Sequence, residues 1–239
     1  MDAEELRDEL AKLKAEKELL SKVVSHDIRS PFNRIFALLQ LFEFDSKDLS
    51  DIQNDYIQSI YLSTLSGLEM ITNLKDMREI DEGNISIDKS EFDLLNTIQK
   101  SVRFLAKQIE LKKQHVTTNS SIKTAPLISD EYLIQRVIVN VLSNAVKFSK
   151  AGDTINLSIS SNRDNYLIDI KDAGAGIKLE EEVFLYEKFK KLSSNASGGE
   201  SSLGLGLYNT ASFLDYLGGK ISLVRHESIG STFQIEVPK

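Results

Sequence analysis

"QRVIVNVLSNAVKFS", residues 135–149, is the stretch on which the interpretation of the fold depends. Its apolar residues recur at helical spacing and cover one side of a helix. On the other side, Asn140, Asn144 and Lys147 follow one another at i, i+4 and i+7. Amide oxygens on neighbouring turns, with a lysine beyond them, are suitable ligands for Mg²⁺ and for phosphate oxygens. An ordinary solvated helix face would give the same pattern, so both interpretations stay open at this point.

Two glycine-containing segments follow this helix. "DAGAGI" comes directly after the strand pattern "YLIDIK", so Asp172 offers a carboxylate at a strand end, while Gly174 and Gly176 let the backbone approach a flat ligand. "SLGLGL" puts Gly204 and Gly206 just before a helix, where free backbone N–H groups attract phosphate. Both patterns are short, and a plain loop explains each of them equally well when it is taken alone.

The chain after residue 80 alternates between helical and strand patterns, which predicts a mixed α+β layer fold. Helices are predicted near 94–108, 130–149 and 206–217, and strands at 85–87, 154–160, 166–171, 220–226 and 231–237. The two closing strands are expected to form an antiparallel hairpin.

The chain before residue 80 is patterned as helix. Apolar residues from Leu6 to Val24 follow a heptad rhythm, which predicts a coiled coil entering the protein. A second amphipathic segment begins after the candidate caps Ser50 and Asp51 and runs over 52–77, so the two helices form a hairpin. Two helices bury little core by themselves, so pairing with a second copy into a four-helix bundle is expected.

"SHDIRSPFNRIF", residues 25–36, places a histidine on the first helix of this hairpin. His26 is expected to face solvent, because it lies about 200° around the helix from the apolar positions. Asp27 can hydrogen-bond one ring nitrogen and leave the other suited to nucleophilic attack. Pro31 removes a helical hydrogen bond, so a kink is expected within a turn of the histidine. A solvated histidine followed by an incidental proline is the alternative.

Composition limits the classes of partner. The formal net charge of −7 and a pI near 5.2 argue against affinity for nucleic acid or anionic lipid, since both need a basic face. The absence of cysteine excludes disulfides and thiolate metal sites, and it fits a reducing compartment. No apolar run approaches the length of a membrane span, and the start "MDAEEL" lacks the features of a signal peptide. We therefore expect a cytoplasmic location with no direct membrane insertion by this chain.

In order and spacing, these segments resemble the catalytic core of a bacterial sensor histidine kinase, in which a phosphoacceptor hairpin precedes an ATP-binding domain of the gyrase and MutL type. The resemblance covers the chain from about residue 20 to the end. It implies an α+β protein in which a helical hairpin forms a dimeric four-helix bundle and is followed by a two-layer α/β sandwich. The implied boundaries are 1–22 for a coiled-coil signalling helix, 23–80 for the hairpin, 81–91 for a linker and 92–239 for the ATP-binding domain.

The resemblance also assigns roles to residues. "SHDIRSPFNRI" is similar to the phosphoacceptor box, which implies that His26 is phosphorylated with Asp27 as its acid/base partner. Ser30 stands where the family commonly has a residue used in dephosphorylating the partner, and "NVLSNAVKFS" is similar to the asparagine box, which places Asn144 on Mg²⁺. The residues implied to contact the nucleotide are Asn140, Lys147, Phe148, Asp172, Gly174, Gly176, Ile177, Phe189, Lys191, Gly204 and Gly206.

Within that set, the resemblance gives three residues a specific contact. Asp172 takes the adenine amino group, Phe189 of "YEKFKKL" anchors the nucleotide lid, and Lys191 reaches the terminal phosphate. Ser202 and Leu203 depart from the family pattern, which usually has glycine and a small hydroxyl residue at these places.

The function implied is that of a histidine autokinase that uses ATP and Mg²⁺ and passes the phosphoryl group to the receiver domain of a separate response regulator. The implied assembly is a homodimer with an upstream sensor domain. Two alternatives stay open from the sequence. The chain could be a nucleotide-gated dimeric scaffold or response-regulator phosphatase with weak kinase activity, or a different ATPase of the same fold that opens a clamp.

Overall fold

The computed structural model describes residues 28–45, 49–193, 202–224 and 230–239. The chain divides into two compact units, Met1–Glu82 and Gly83–Lys239. The predicted coiled coil of residues 1–22 lies outside the described residues. None of the described helices combines the length and the apolar character that a bilayer-crossing segment needs.

The first unit contains the predicted helical hairpin, with α1 at Arg29–Asp45 and α2 at Asp51–Asp81. Ser50 starts α2 through a capping box: its hydroxyl accepts the Gln53 N–H at 3.3 Å, and the Gln53 side chain accepts the Ser50 N–H at 2.9 Å. Pro31 lies in the first turn of α1, and Ile28 just before this helix has a wider, π-helical turn. The departure from α-helical geometry therefore comes within three residues of the proline.

Close side-chain contacts join α1 to α2. A methyl group added to Gly67 would overlap the ring of Phe32, so the glycine makes room for that ring. Farther along the hairpin, the Phe36 and Tyr61 ring centroids lie 5.2 Å apart. Several large apolar side chains of the hairpin nevertheless remain exposed within this single chain: Ile35, Leu38, Leu41, Phe42, Ile52, Tyr56 and Ile60.

The second unit is a mixed α+β fold, as the sequence predicts. Its α-helices are α3 at Leu94–Phe104, α4 at Ala106–Leu111, α5 at Glu131–Phe148 and α6 at Gly206–Leu217, and a 3₁₀ helix spans Leu179–Phe184. Its strands are β1 at Ser90–Asp93, β2 at His115–Ser120, β3 at Pro126–Ser129, β4 at Thr154–Ser161, β5 at Asn165–Lys171, β6 at Lys220–Val224 and β7 at Thr232–Pro238.

Five strands form the main sheet in the order β2-β4-β5-β7-β6. β2 is parallel to β4, and the other neighbouring pairs are antiparallel. The closing hairpin is confirmed, because β6 pairs with β7 and places Ile221 opposite Ile235. β1 and β3 form a separate two-stranded antiparallel sheet.

The core lies between one face of the main sheet and the helices. Alternate residues of β4, β5 and β7 are buried, which leaves one face of each strand in the core. α5 contacts β5, α3 and α6, so it is surrounded by other elements rather than lying on the surface. Its buried apolar side chains are Leu133, Ile134, Val137, Ile138, Val139, Val141, Leu142, Ala145 and Val146. Each of the valine, leucine and isoleucine side chains among them contributes roughly 1.5–3 kcal/mol when it is fully buried.

Two of the element predictions are wrong. No strand forms at 85–87; β1 begins at Ser90 instead, and the Asp88 N–H that precedes it donates to the Asp130 carboxylate at 2.9 Å. The predicted helix over 94–108 is divided at Leu105, whose N–H bonds to Val102 three residues back and whose side chain is buried. The alternation of Ile85 and Ile87 indicated a strand, but these residues are only half-buried and have no partner strand among the described residues.

Candidate functional site

The second half of α5 carries the three polar residues that the sequence places on one face. The helix begins after Asp130, whose side chain caps it by accepting the Leu133 N–H at 2.9 Å. Asn140 and Lys147 are only 3% and 6% exposed, and Asn144 is half-buried. The interpretation as a solvated helix face is therefore wrong.

α6 lies against α5 and brings the second glycine segment to this face. A methyl group added to Gly206 would lie 3.9 Å from the Asn144 amide nitrogen, so the first residue of α6 is close to the predicted metal ligand. Leu205 provides no side-chain cap, which leaves the first N–H groups of α6 without that kind of partner. Asn140 adds a buried amide nitrogen, Nδ2, that has no hydrogen-bond partner among the described residues. Hydrogen-bond donors thus collect where α5 meets the start of α6.

The end of α5 also contacts the loop that carries Asp172. The Ser149 hydroxyl accepts the Ala173 N–H at 3.2 Å. A methyl group added to Gly174 would lie 3.0 Å from the Phe148 carbonyl oxygen, which is tighter than ordinary packing and favours glycine there. Gly176 has a φ of +78°, the left-handed region that favours glycine. The approach of this loop to a flat ligand stays a prediction.

Asp172 is a buried carboxylate, and only one of its two oxygens accepts hydrogen bonds within the described part of the chain. Its Oδ1 accepts the N–H groups of Gly174 at 2.8 Å and Ser231 at 3.1 Å. Burial raises the pKa of the Asp172 carboxyl, and these two hydrogen bonds partly offset the effect. Both bonds end on Oδ1, so within the described part of the chain Oδ2 is available to accept a hydrogen bond from a ligand.

The sequence interpretation missed the contribution of residues 230–232 to this site. A methyl group added to Gly230 would overlap the Asp172 carbonyl oxygen, and the Asp172 N–H donates to the Ser231 carbonyl at 2.9 Å. Thr232 lies opposite Lys171 in the sheet register, and its hydroxyl is buried with no hydrogen-bond partner among the described residues. The segment "GSTF" predicted only a strand, although a hydroxyl on the strand beside Asp172 was a possible signal.

Phe189 and Gly204 meet at the base of the segment 194–201, which lies outside the described residues. The Phe189 N–H donates to the Gly204 carbonyl at 3.0 Å, and both residues have positive φ values, +61° and +70°. A methyl group added to Gly204 would overlap the Lys190 carbonyl oxygen. A left-handed conformation is uncommon for phenylalanine and is typical of residues under a functional constraint.

Lys191 is exposed, and no hydrogen bond among the described residues connects it to the asparagines of α5. Two other lysines near it lie over aromatic rings. The Lys188 ammonium is 4.8 Å from the Tyr208 ring centroid, and the Lys190 ammonium is 3.9 Å from the Phe184 ring centroid. Ile177 is half-buried next to Gly176.

Only part of the phosphoacceptor segment is described. His26 and Asp27 lie outside the described residues, so their geometry stays a prediction. Ser30 is exposed in the first turn of α1. Arg29 beside it donates to the Thr72 hydroxyl of α2 at 2.8 Å.

The polarity of the site fits an adenine nucleotide with Mg²⁺. The site has an acceptor in Asp172 Oδ2, on the loop that contacts the end of α5, and donors in the Asn140 amide and at the start of α6, which lies near Asn144. A ligand that carries both an amino group and anionic oxygens matches these groups. The half-buried Asn144 beside the donors is a suitable oxygen ligand for the metal.

Two family models match the chain. Residues 16–83 match the His Kinase A (phospho-acceptor) domain, and residues 129–239 match the Histidine kinase-, DNA gyrase B-, and HSP90-like ATPase. Together they cover both units in the order that the sequence predicts.

Curated relatives extend this similarity. The chain is 27% identical to "Hybrid signal transduction histidine kinase B" of Dictyostelium discoideum, over 90% of this chain and 11% of the relative. It is 28% identical to "Circadian input-output histidine kinase CikA" of Synechococcus elongatus, over 90% and 29%. It is 30% identical to "Sensor protein KdpD" of Clostridium acetobutylicum, over 100% and 27%. The chain thus spans less than a third of each of these relatives.

Solved structures share the fold. Full-length ShkA, solved in complex with AMPPNP, has a TM-score of 0.66 at 20% identity and is matched over 92% of this chain and 45% of that chain. The catalytic domain of histidine kinase ThkA has a TM-score of 0.56 at 20% identity and is matched over 64% of this chain and 97% of that chain.

Proposed function

The chain belongs to the histidine kinases, and we propose that it is an ATP-dependent autokinase that phosphorylates His26 and passes the phosphoryl group to an aspartate of a separate response regulator. The observation that carries this proposal is the set of polar groups around α5, with a buried acceptor at Asp172, a buried donor at Asn140 and uncapped N–H groups at the half-buried start of α6.

The nucleotide binds through hydrogen bonds to this acceptor and these donors. Asp172 Oδ2 accepts a hydrogen bond from the adenine amino group, and the Gly174 backbone lies against the ring. The phosphates take the N–H groups at the start of α6, the Asn140 amide and the Lys147 ammonium. Lys191 reaches the terminal phosphate, and Phe189 anchors the nucleotide lid.

Asn144 would hold Mg²⁺ through its side-chain oxygen. When bound, the metal neutralises charge that develops on the transferred phosphoryl group. The protein's own part is to orient the phosphates, because phosphoryl transfer depends mainly on positioning and electrostatics.

His26 is the nucleophile in the transfer. A lone pair on one ring nitrogen attacks the γ phosphorus, and the N–P bond forms as the bond to the bridging oxygen of ADP breaks. Asp27 accepts a hydrogen bond from the other ring nitrogen and so stabilises the positive charge that develops on the ring. The products are ADP and a phosphohistidine, whose labile P–N bond suits onward transfer to an aspartate.

The assembly is a homodimer through the helical hairpin. Seven large apolar side chains of α1 and α2 are exposed in the single chain, which is more than a soluble helical pair tolerates without a partner. The response regulator docks on the same bundle near His26, and an upstream sensor domain controls the hairpin through residues 1–22. We place these events in the cytoplasm, where the receiver domain is available.

The test is incubation with Mg²⁺ and γ-labelled ATP, comparing the parent chain with His26→Gln and Asn144→Ala. His115→Gln is the matched control, because His115 is exposed on β2. We expect an acid-labile, base-stable label on the parent and the control and at least a tenfold loss in both site variants.

Two results contradict the proposal. Label that persists in His26→Gln would move the phosphoacceptor to another residue. Nucleotide binding without label on the parent chain would favour the dimeric scaffold or the response-regulator phosphatase.

A further inference from the structure

A buried lysine lies against the end of the helix that carries the site. Lys112 follows α4 and is only 8% exposed, which is unusual for a lysine. Its ammonium donates to the carbonyl oxygens of Val146 at 2.9 Å and Lys147 at 3.1 Å. These carbonyls belong to the last turn of α5, where no intrahelical donor is available.

Gln114 acts on the same helix end. Its amide nitrogen is directed at the carbonyl oxygens of Val146 at 3.1 Å, Ser149 at 3.0 Å and Lys150 at 3.1 Å. Two side chains from one short turn therefore satisfy four carbonyl groups at the end of α5. Left unpaired in a buried position, each of these carbonyls would carry a desolvation cost.

The turn that carries Lys112 and Gln114 is itself fixed. The Gly152 N–H donates to the Lys112 carbonyl at 3.2 Å, and the His115 N–H donates to the Asp153 carbonyl at 3.0 Å. Lys113, between the two side chains, has a φ of +51°, in the left-handed region that is uncommon for residues other than glycine. The donors are thus presented from a defined position rather than from a freely moving loop.

The same helix end carries parts of the nucleotide site. Lys147 is assigned to the phosphates, the Phe148 carbonyl lies against Gly174, and the Ser149 hydroxyl holds the Ala173 N–H. A shift of the last turn of α5 would therefore displace both the phosphate contacts and the loop of Asp172.

We propose that Lys112 and Gln114 are positioning residues of the nucleotide site: they hold the end of α5 in place, and with it Lys147 and the contacts to the loop of Asp172. The inference rests on the proposed function, since it concerns the same site.

The experiment measures binding of ADP and of adenosine to the full chain by calorimetry, for the parent, Lys112→Met and Lys112→Arg. We expect Lys112→Met to weaken the binding of ADP and of adenosine about tenfold, because the end of α5 also holds the loop of Asp172, with Lys112→Arg close to the parent. Tyr166→Phe is the control, because it removes a hydrogen bond to the Pro126 carbonyl away from the end of α5. Binding by Lys112→Met that equals that of the parent or of Tyr166→Phe would overturn the inference.

Thermal unfolding of each variant separates binding from folding. If Lys112→Met has no cooperative unfolding transition, Gln114→Met decides: it keeps Lys112 and removes the amide group that faces the Val146, Ser149 and Lys150 carbonyls, and it should weaken the binding of ADP and of adenosine alike. Unchanged binding by Gln114→Met would then reject the positioning role. A parent chain that binds no ADP would instead contradict the proposed function itself.

Discussion

Burying the charged Asp172 carboxylate costs free energy. Its second oxygen, Oδ2, is placed where it can accept a hydrogen bond from a ligand. Its burial in the folded protein disfavours the charged form, and two backbone N–H groups compensate only in part. An asparagine would fit the same space without the charge. The carboxylate therefore lowers the free energy of unfolding at neutral pH. Both of its oxygens can accept a hydrogen bond from a ligand, whereas an asparagine amide has only one such oxygen.

The free-energy cost of burying the charged carboxylate predicts that Asp172→Asn raises stability relative to the parent and weakens nucleotide binding. Because burial raises the pKa of the Asp172 carboxyl, the native state binds this proton more tightly than the unfolded chain does. The parent's free energy of unfolding should fall as pH rises from about 4, the ordinary value of an aspartate, through the raised pKa. The variant should lack this fall, so its stability relative to the parent increases with pH and then levels off.

Urea unfolding of both proteins over this pH range tests the stability effect, with exposed Asp164→Asn as a control that should follow the parent. Binding of ADP should weaken about tenfold or more in Asp172→Asn, since the amide group would face the adenine amino group. A variant that binds ADP as the parent does would remove Asp172 from the adenine contact.

At the scale of elements, the start of α2 depends on one local arrangement. The capping box of Ser50 and Gln53 satisfies donors that would otherwise face solvent or compete for other partners. The hairpin turn is short, so the position of the first residue of α2 also sets the register of its apolar positions.

Ser50→Ala should lower the free energy of unfolding by about 1 kcal/mol, because the hydroxyl that accepts the Gln53 N–H is lost. Ser59→Ala is the control: it removes a hydroxyl inside the same helix that bonds only to the Asp55 carbonyl. Denaturant unfolding of the full chain, followed by helical circular dichroism, gives the difference. Equal stability of the two variants would mean that the cap contributes nothing.

The elements differ in how much of them the sequence predicts. The helix at 206–217 and the strands near 154–160 and 166–171 are correct within a residue, because buried alternation and a starting glycine mark them clearly. β2 was missed since "HVTTNS" is an edge strand with mostly exposed residues, and its signal is accordingly weak. The division at Leu105 depends on tertiary packing of a buried side chain, which periodicity does not detect.

The residues of the candidate site also differ in how clearly the sequence indicates them. Asn140, Asn144 and Asp172 could be proposed from the sequence because a polar residue in an apolar element is visible there, and the structure places Asn140 and Asp172 in buried positions. Thr232 was missed because its hydroxyl is common on strands, and its value depends on the register that places it beside Asp172. Lys112 and Gln114 were missed for a related reason: the carbonyl groups that they hold are more than thirty residues away in the chain.

At the scale of the whole molecule, the two units divide the proposed chemistry. The second unit has its own sheet, its own core and all the residues proposed to bind nucleotide, whereas the first contains His26. Binding and phosphorylation should therefore be separable by cutting the chain between the units.

A fragment of residues 83–239 should bind ADP with the affinity of the whole chain and acquire no label from γ-labelled ATP, since it lacks His26. Calorimetry and labelling of the fragment test this, with the full-length His26→Gln chain as a matched control that should behave alike. A labelled fragment would contradict the assignment of the phosphoacceptor to the first unit.

The strand order has a consequence for how the protein is made. β7 is the last of the sheet strands to be synthesised, yet it lies between β5 and β6 in the interior of the sheet. A ribosome that stops before Thr232 would release a polypeptide whose β5 edge is open and whose β6 has no neighbour to join. An incomplete translation product would thus be a substrate for proteases and aggregation rather than a partially working enzyme.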